Sequence, residues 1–148
     1  MIHLDYEYKK RWDEISVGEL FMIKDELCMC ISEKDSKDRR VLFVQTGKIT
    51  KYHNASYYQI GGHRMVGVGH IRVYPNNDET MLISEMDMGI TLSIFTQDYM
   101  KVGYAEEDKN DKSYIVNLKT GIVACSDDIP IINSEKFETT QIWWDLHN

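Results

Sequence analysis

The sequence predicts an all-β protein made of two similar small units in tandem, each meander-like or small-barrel-like, packed as one body with a short N-terminal helix. Three observations predict it. Runs of four to seven β-branched, aromatic or alternating apolar residues, broken by polar turns, recur along all 148 residues. The stretch "VLFVQTGKI" (Val41 to Ile49) returns as "IVNLKTGIV" (Ile115 to Val123), with Gly47 and Gly121 74 positions apart. And "WDEISVGELFMI" (Trp12 to Ile23) lies over "ISEMDMGITLSI" (Ile83 to Ile94) at a shift of 71, which puts Gly18 on Gly89, Glu14 on Glu85 and Ile23 on Ile94. A fixed period of this kind decides the architecture before any single strand does.

The two shifts differ by about three residues, and the insertion falls in the polar link "AEEDKNDKS", which faces "SEKDSKDRR" in the first unit. Surface loops absorb insertions at little cost. At the far end "HIRVYPNN" (His70 to Asn77) meets "QIWWDLHN" (Gln141 to Asn148), again at 71. The organisation is therefore an N-terminal segment 1–11, a first β unit 12–77 and a second β unit 83–148. A unit of roughly 70 residues is marginal on its own, which is why the pair is expected to share one body.

Taken in order, "DYEYKKRWDEI" is the helical candidate, because Tyr8, Trp12 and Ile15 fall on one helical face. "ELFMI" and "LCMCIS" then flank a Lys-Asp-Glu turn, and "VLFVQ" and "KITKY" flank Thr-Gly, where Gly supplies the positive φ that a tight hairpin needs. "YYQI" and "HIRVY" complete the first unit. The second repeats the series with "TLSIF", "YMKVGY", "YIVNL", "IVACS", "IPII" and "QIWWDL".

Charge divides the units. Residues 1–77 hold 12 Lys and Arg against 10 Asp and Glu, whereas residues 78–148 hold 5 against 14, so the net charge of -7 arises from +2 and -9. Glu106, Glu107, Asp108, Asp111, Asp127 and Asp128 supply the acidic loops. Such a surface repels phosphate, so direct nucleic-acid binding by the second unit is disfavoured, while another protein with a basic, nucleic-acid-binding surface is a natural partner. Trp143 and Trp144, like Tyr57 and Tyr58, are adjacent in strands, so one of each pair faces outward, either as a partner anchor or covered by the sister unit, the N-terminal helix or a second chain in a homodimer.

Catalytic and metal motifs are missing. No GxSxG, HExxH or GxxxxGK[ST] pattern occurs, and no enzyme and no cofactor is expected. Cys28, Cys30 and Cys125 are too few for a disulfide framework, and "CMC" has no second pair to complete a metal site, so these read as core residues in a reducing, cytoplasmic setting. The longest apolar stretches are too short for a membrane span, and "MIHLDYEYKKRWDE" carries charge where a signal peptide needs apolar residues. "GGHRMVGVGH" (Gly61 to His70) is the segment most like a ligand site: His63, Arg64 and His70, with His53, would meet a nucleotide or anion in a cleft between the units. Glycine there equally permits a bulge.

The "NLKTG" hairpin, set in a small acidic β protein rich in Met and Tyr, resembles accessory proteins of bacteriophages. That resemblance implies a non-enzymatic protein acting in the host cytoplasm on a host component, such as an inhibitor of a bacterial defence system. Small-ligand binding and a structural role in an assembly are the alternatives.

Overall fold

The computed structural model describes residues 9–23, 26–51, 58–59, 71–106, 109–129 and 135–144. The N-terminal segment contributes β1 (Lys9–Lys10), and the first unit β2 (Leu20–Ile23), β3 (Glu26–Glu33), β4 (Arg39–Phe43), β5 (Lys48–Thr50) and β6 (Tyr58–Gln59). After β7 (Ile71–Leu82) the second contributes β8 (Thr91–Ile94), β9 (Gln97–Tyr104), β10 (Tyr114–Asn117), β11 (Ile122–Cys125) and β12 (Lys136–Trp144). The protein is mainly β, as the alternation of its apolar residues predicts. β7 runs straight through residues 78–82, so the joint between the units is itself strand, and β7 pairs antiparallel with β12.

Six strands close a barrel. β3, β4 and β5 form an antiparallel meander, as do β9, β10 and β11. Two parallel seams join the meanders: β5 to β9 (Lys48 to Gly103, Ile49 to Tyr104) and β11 to β3 (Ile122 to Ser32, Val123 to Glu33). Neither meander closes alone; each supplies half of the wall. β2 and β8 extend the wall by pairing with the starts of β3 and β9.

The hydrogen bonds repeat with the shifts read from the sequence. The Gly18 amide donates to Cys30 O at 2.7 Å, and the Gly89 amide to Lys101 O at 2.8 Å. The Ser32 amide donates to Gly121 O, and the Gly103 amide to Gly47 O, each at 3.0 Å. The Lys34 amide donates to Val123 O at 3.0 Å, and the Ala105 amide to Ile49 O at 2.9 Å. First-strand residues are 71 apart in these pairs and hairpin residues 74 apart.

Alternation then sorts the core. Leu27, Met29 and Ile31 of β3 and Met100, Val102 and Tyr104 of β9 point into the barrel, with Leu42, Ile49, Val116 and Val123. Cys28 and Cys30 face the other way and pack with Ile15, Phe21 and Val41 beneath Trp12. The matching outer cluster of the second unit is Ile83, Met86, Leu92, Ile94, Ile115 and Phe137.

The N-terminal helix expected over residues 5–15 is corrected. Among the described residues of that stretch, Lys9–Lys10 are strand and helix is confined to the 3-10 turn Trp12–Glu14. Trp12 and Ile15 share a face because both cover the outer side of β2 and β3, not because a helix continues through them. Tyr8 lies outside the described residues.

Candidate functional site

Three of the four described acidic residues singled out in the sequence have a task within the fold. Glu106 is half-buried and its carboxylate accepts from Arg40 Nη1 at 3.2 Å across the barrel mouth. Arg40 also stands 5.3 Å over the Tyr104 ring, with Lys109 at 5.2 Å. Asn110 pins the following loop, accepting from the Tyr104 amide at 2.8 Å and donating to Tyr104 O at 2.7 Å. Asp127 pairs with Lys112, and the Asp128 carboxylate accepts from the Cys125 amide at 3.1 Å, a hydrogen bond that holds its carboxyl below the usual range. Asp111 is exposed. Glu107 and Asp108 lie outside the described residues, as do His53, His63, Arg64 and His70.

Among the described residues, the exposed acids of the second unit are Glu85, Asp87, Asp111, Asp127, Asp128, Glu135 and Glu138, on surfaces spread from the 3-10 turn Ile83–Glu85 after β7 to β12. Exposed cations described there are Lys112, Lys119 and Lys136. The unit therefore presents a net negative surface at long range, the quantity that steers encounter with a basic partner.

Trp143 and Trp144 end β12, opposite Arg72 and Ile71 of β7. Tyr58 lies in β6 opposite Lys10, and Tyr57 falls outside the described residues. The aromatic that stands out is one the sequence reading passed over. Phe95 is 83% exposed at the tip of the β8–β9 hairpin. Ile94 pairs with Gln97, so Phe95 and Thr96 alone make the turn.

Their φ angles are +48° and +67°. A two-residue turn with both angles positive asks for Asn-Gly or Asp-Gly, because a Cβ is crowded there. A bulky aromatic followed by a β-branched residue is unfavourable in that conformation. Strain of this kind persists where something other than stability selects the residue. The sequence signal is negative: no Gly, Asn or Asp stands between Ile94 and Gln97, so the run "TLSIF" reads as strand to its last residue.

Nucleophile chemistry finds no support in the buried thiols. Burial pushes Cys28 up to about 12 and Cys30 up to about 11, so both stay protonated at neutral pH. Among the described residues no three His, Cys, Asp or Glu side chains group as metal ligands. No helix in the described residues is long and apolar enough to cross a membrane.

Comparison with known proteins leaves this geometry to speak for itself. A scan against protein-family models and searches of curated proteins and of solved structures found no match to this chain.

Proposed function

We propose that the protein is a non-enzymatic binding protein that seats the Phe95–Thr96 hairpin tip in an apolar pocket of a partner with a basic surface. The observation that carries this reading is the exposed Phe95 held at positive φ, a residue that costs the free protein stability and buries nothing within it. An aromatic on a short, rigid hairpin loses little entropy on docking, which suits it as an interface anchor. The -9 balance of residues 78–148 supplies steering toward the partner's positive surface. With the resemblance to phage accessory proteins, the partner class is a bacterial host protein whose basic surface binds nucleic acid, and occupancy of that surface would inhibit it.

The test is capture of partners from bacterial lysate at low and high salt, with the wild type beside Phe95→Gly and beside Asp111→Lys with Glu138→Lys. A single protein retained by the wild type, released by salt and lost in both variants supports the reading. Retention unchanged by Phe95→Gly overturns it.

A further inference from the structure

The two units treat one backbone carbonyl differently. In the first, Arg39 Nη1 donates to Trp12 O at 2.9 Å and also reaches Ile15 O, with the guanidinium 5.0 Å over the Trp12 ring. Trp12 in turn meets Phe21 edge-on at 6.0 Å. The equivalent carbonyl in the second unit is Ile83 O, 71 residues on. It accepts at 2.8 Å from Lys101 Nζ instead.

Lys101 stands on β9 at the position of Cys30, while the position of Arg39 is taken by Ser113. The cation has crossed from one strand to its neighbour. The serine leaves space where the first unit has a stacked guanidinium, and a cleft of about 460 Å³ lies there, lined by Ser84, Lys101, Asn110, Asp111, Ser113 and Ser126 among others. That volume is in the range of small-molecule sites.

We propose that this cleft binds a small zwitterion, whose oxyanion meets Lys101 and whose cationic end meets Asp111. An ammonium has three N–H donors. Among the described residues Lys101 finds two acceptors, Ile83 O and, at 3.4 Å, Ser113 Oγ, which leaves a donor for a ligand. Lys101 is half-buried, and that burial lowers its pKa, so an oxyanion beside it restores what desolvation removes. The hydroxyls of Ser84, Ser113 and Ser126 add donors in the same lining.

The other lining cation, Lys112, is already held by Asp127, whereas Asp111 is exposed and lines the cleft. One available cation and one carboxylate select a ligand carrying both charges over a plain dianion. Capping Ile83 O accounts for one Lys101 donor, as Arg39 does for Trp12 O, and leaves the cleft itself unexplained.

The experiment is titration of the full chain, by calorimetry and amide NMR, with glycine, β-alanine and 4-aminobutyrate, and with acetate and inorganic phosphate as anion-only probes. Saturable binding of a zwitterion is expected, with shifts at Gly103 and Ser113 and about tenfold weaker binding of acetate. Asp111→Asn should weaken the zwitterion about tenfold while leaving acetate unchanged. The exchange Lys101→Cys with Ser113→Arg imports the first unit's own arrangement and should abolish binding. Absence of saturable binding, phosphate binding tighter than any zwitterion, or affinity that Asp111→Asn leaves unchanged overturns the proposal.

Discussion

The Tyr104 hydroxyl donates to the Glu33 carboxylate, and each residue holds in its own unit the position that the other holds in its own, 71 residues apart. Around them Arg40 lies over the Tyr104 ring, and Tyr114, its equivalent at a shift of 74, meets that ring edge-on at 4.9 Å. The polar mouth of the barrel is thus built where corresponding residues of the two units face each other. Tyr104→Phe keeps the ring and removes the donor to a half-buried carboxylate, so it should cost about 1.5–2 kcal/mol in urea denaturation. A loss below a few tenths of that would show the bond to be incidental.

The glycines at the seams allow no side chain. A Cβ on Gly47 would stand 2.3 Å from the Gly89 nitrogen, and one on Gly121 would stand 2.7 Å from the Gly18 nitrogen, each at a φ of +75°. Both obstacles are backbone. Gly47→Ala and Gly121→Ala should each cost about 3 kcal/mol or more, with Gly47→Ala the worse. Thermal melts of the two variants check the order.

Phe95→Gly is expected to act in opposite directions on folding and on binding. Glycine suits the positive φ at the hairpin tip, so stability should rise by about 1 kcal/mol and the melting temperature by a few degrees. Partner capture should fall. A variant that loses both would mark Phe95 as an ordinary packing residue.

Buried thiols set an alkaline limit. Cys28 is raised from 9.0 to about 12 and Cys30 from 9.0 to about 11, chiefly by burial. Folding therefore holds these protons more tightly than the unfolded chain does, and their contribution is intact below pH 9 and lost as pH rises through 11 to 12. The double variant Cys28→Ala, Cys30→Ala should show a flatter stability profile above pH 9. At pH 8 a thiol reagent should modify Cys125, which is partly exposed, well before the buried pair.

Charge reversal should separate working acids from surface acids. Glu106→Lys sets a second cation against half-buried Arg40 and should lower stability by about 1 kcal/mol, given its partial exposure. Asp111→Lys, at an exposed site, should leave the melting temperature within a degree or two.

Strand positions were legible because alternation has a period of two and because the chain writes the series twice. Even the insertion lies in the link after β9, between Tyr104 and Tyr114. A small barrel was legible from the short strands, but not that the two units close it together: the seams pair Ile49 with Tyr104 and Val123 with Glu33, and no local pattern announces a parallel neighbour so far along the chain. The same distance hid the Arg40–Glu106 pair, which made Glu106 look like a loop-tip charge. Phe95 was missed for the opposite reason, since its local signal pointed to strand and only the backbone angles reveal a turn.

The parallel seams also govern the order in which the molecule can be made. As the chain leaves the ribosome, β3 and β5 emerge with edges that only later residues can cover, since their seam partners are β11 and β9. Open strand edges invite pairing with other chains. The nascent first unit must therefore wait until residues beyond Val123 have been synthesised before its wall is complete. A truncated product ending short of that point is a half-barrel looking for its other half, and another copy of itself, offering the same hydrogen-bond register, is the nearest substitute.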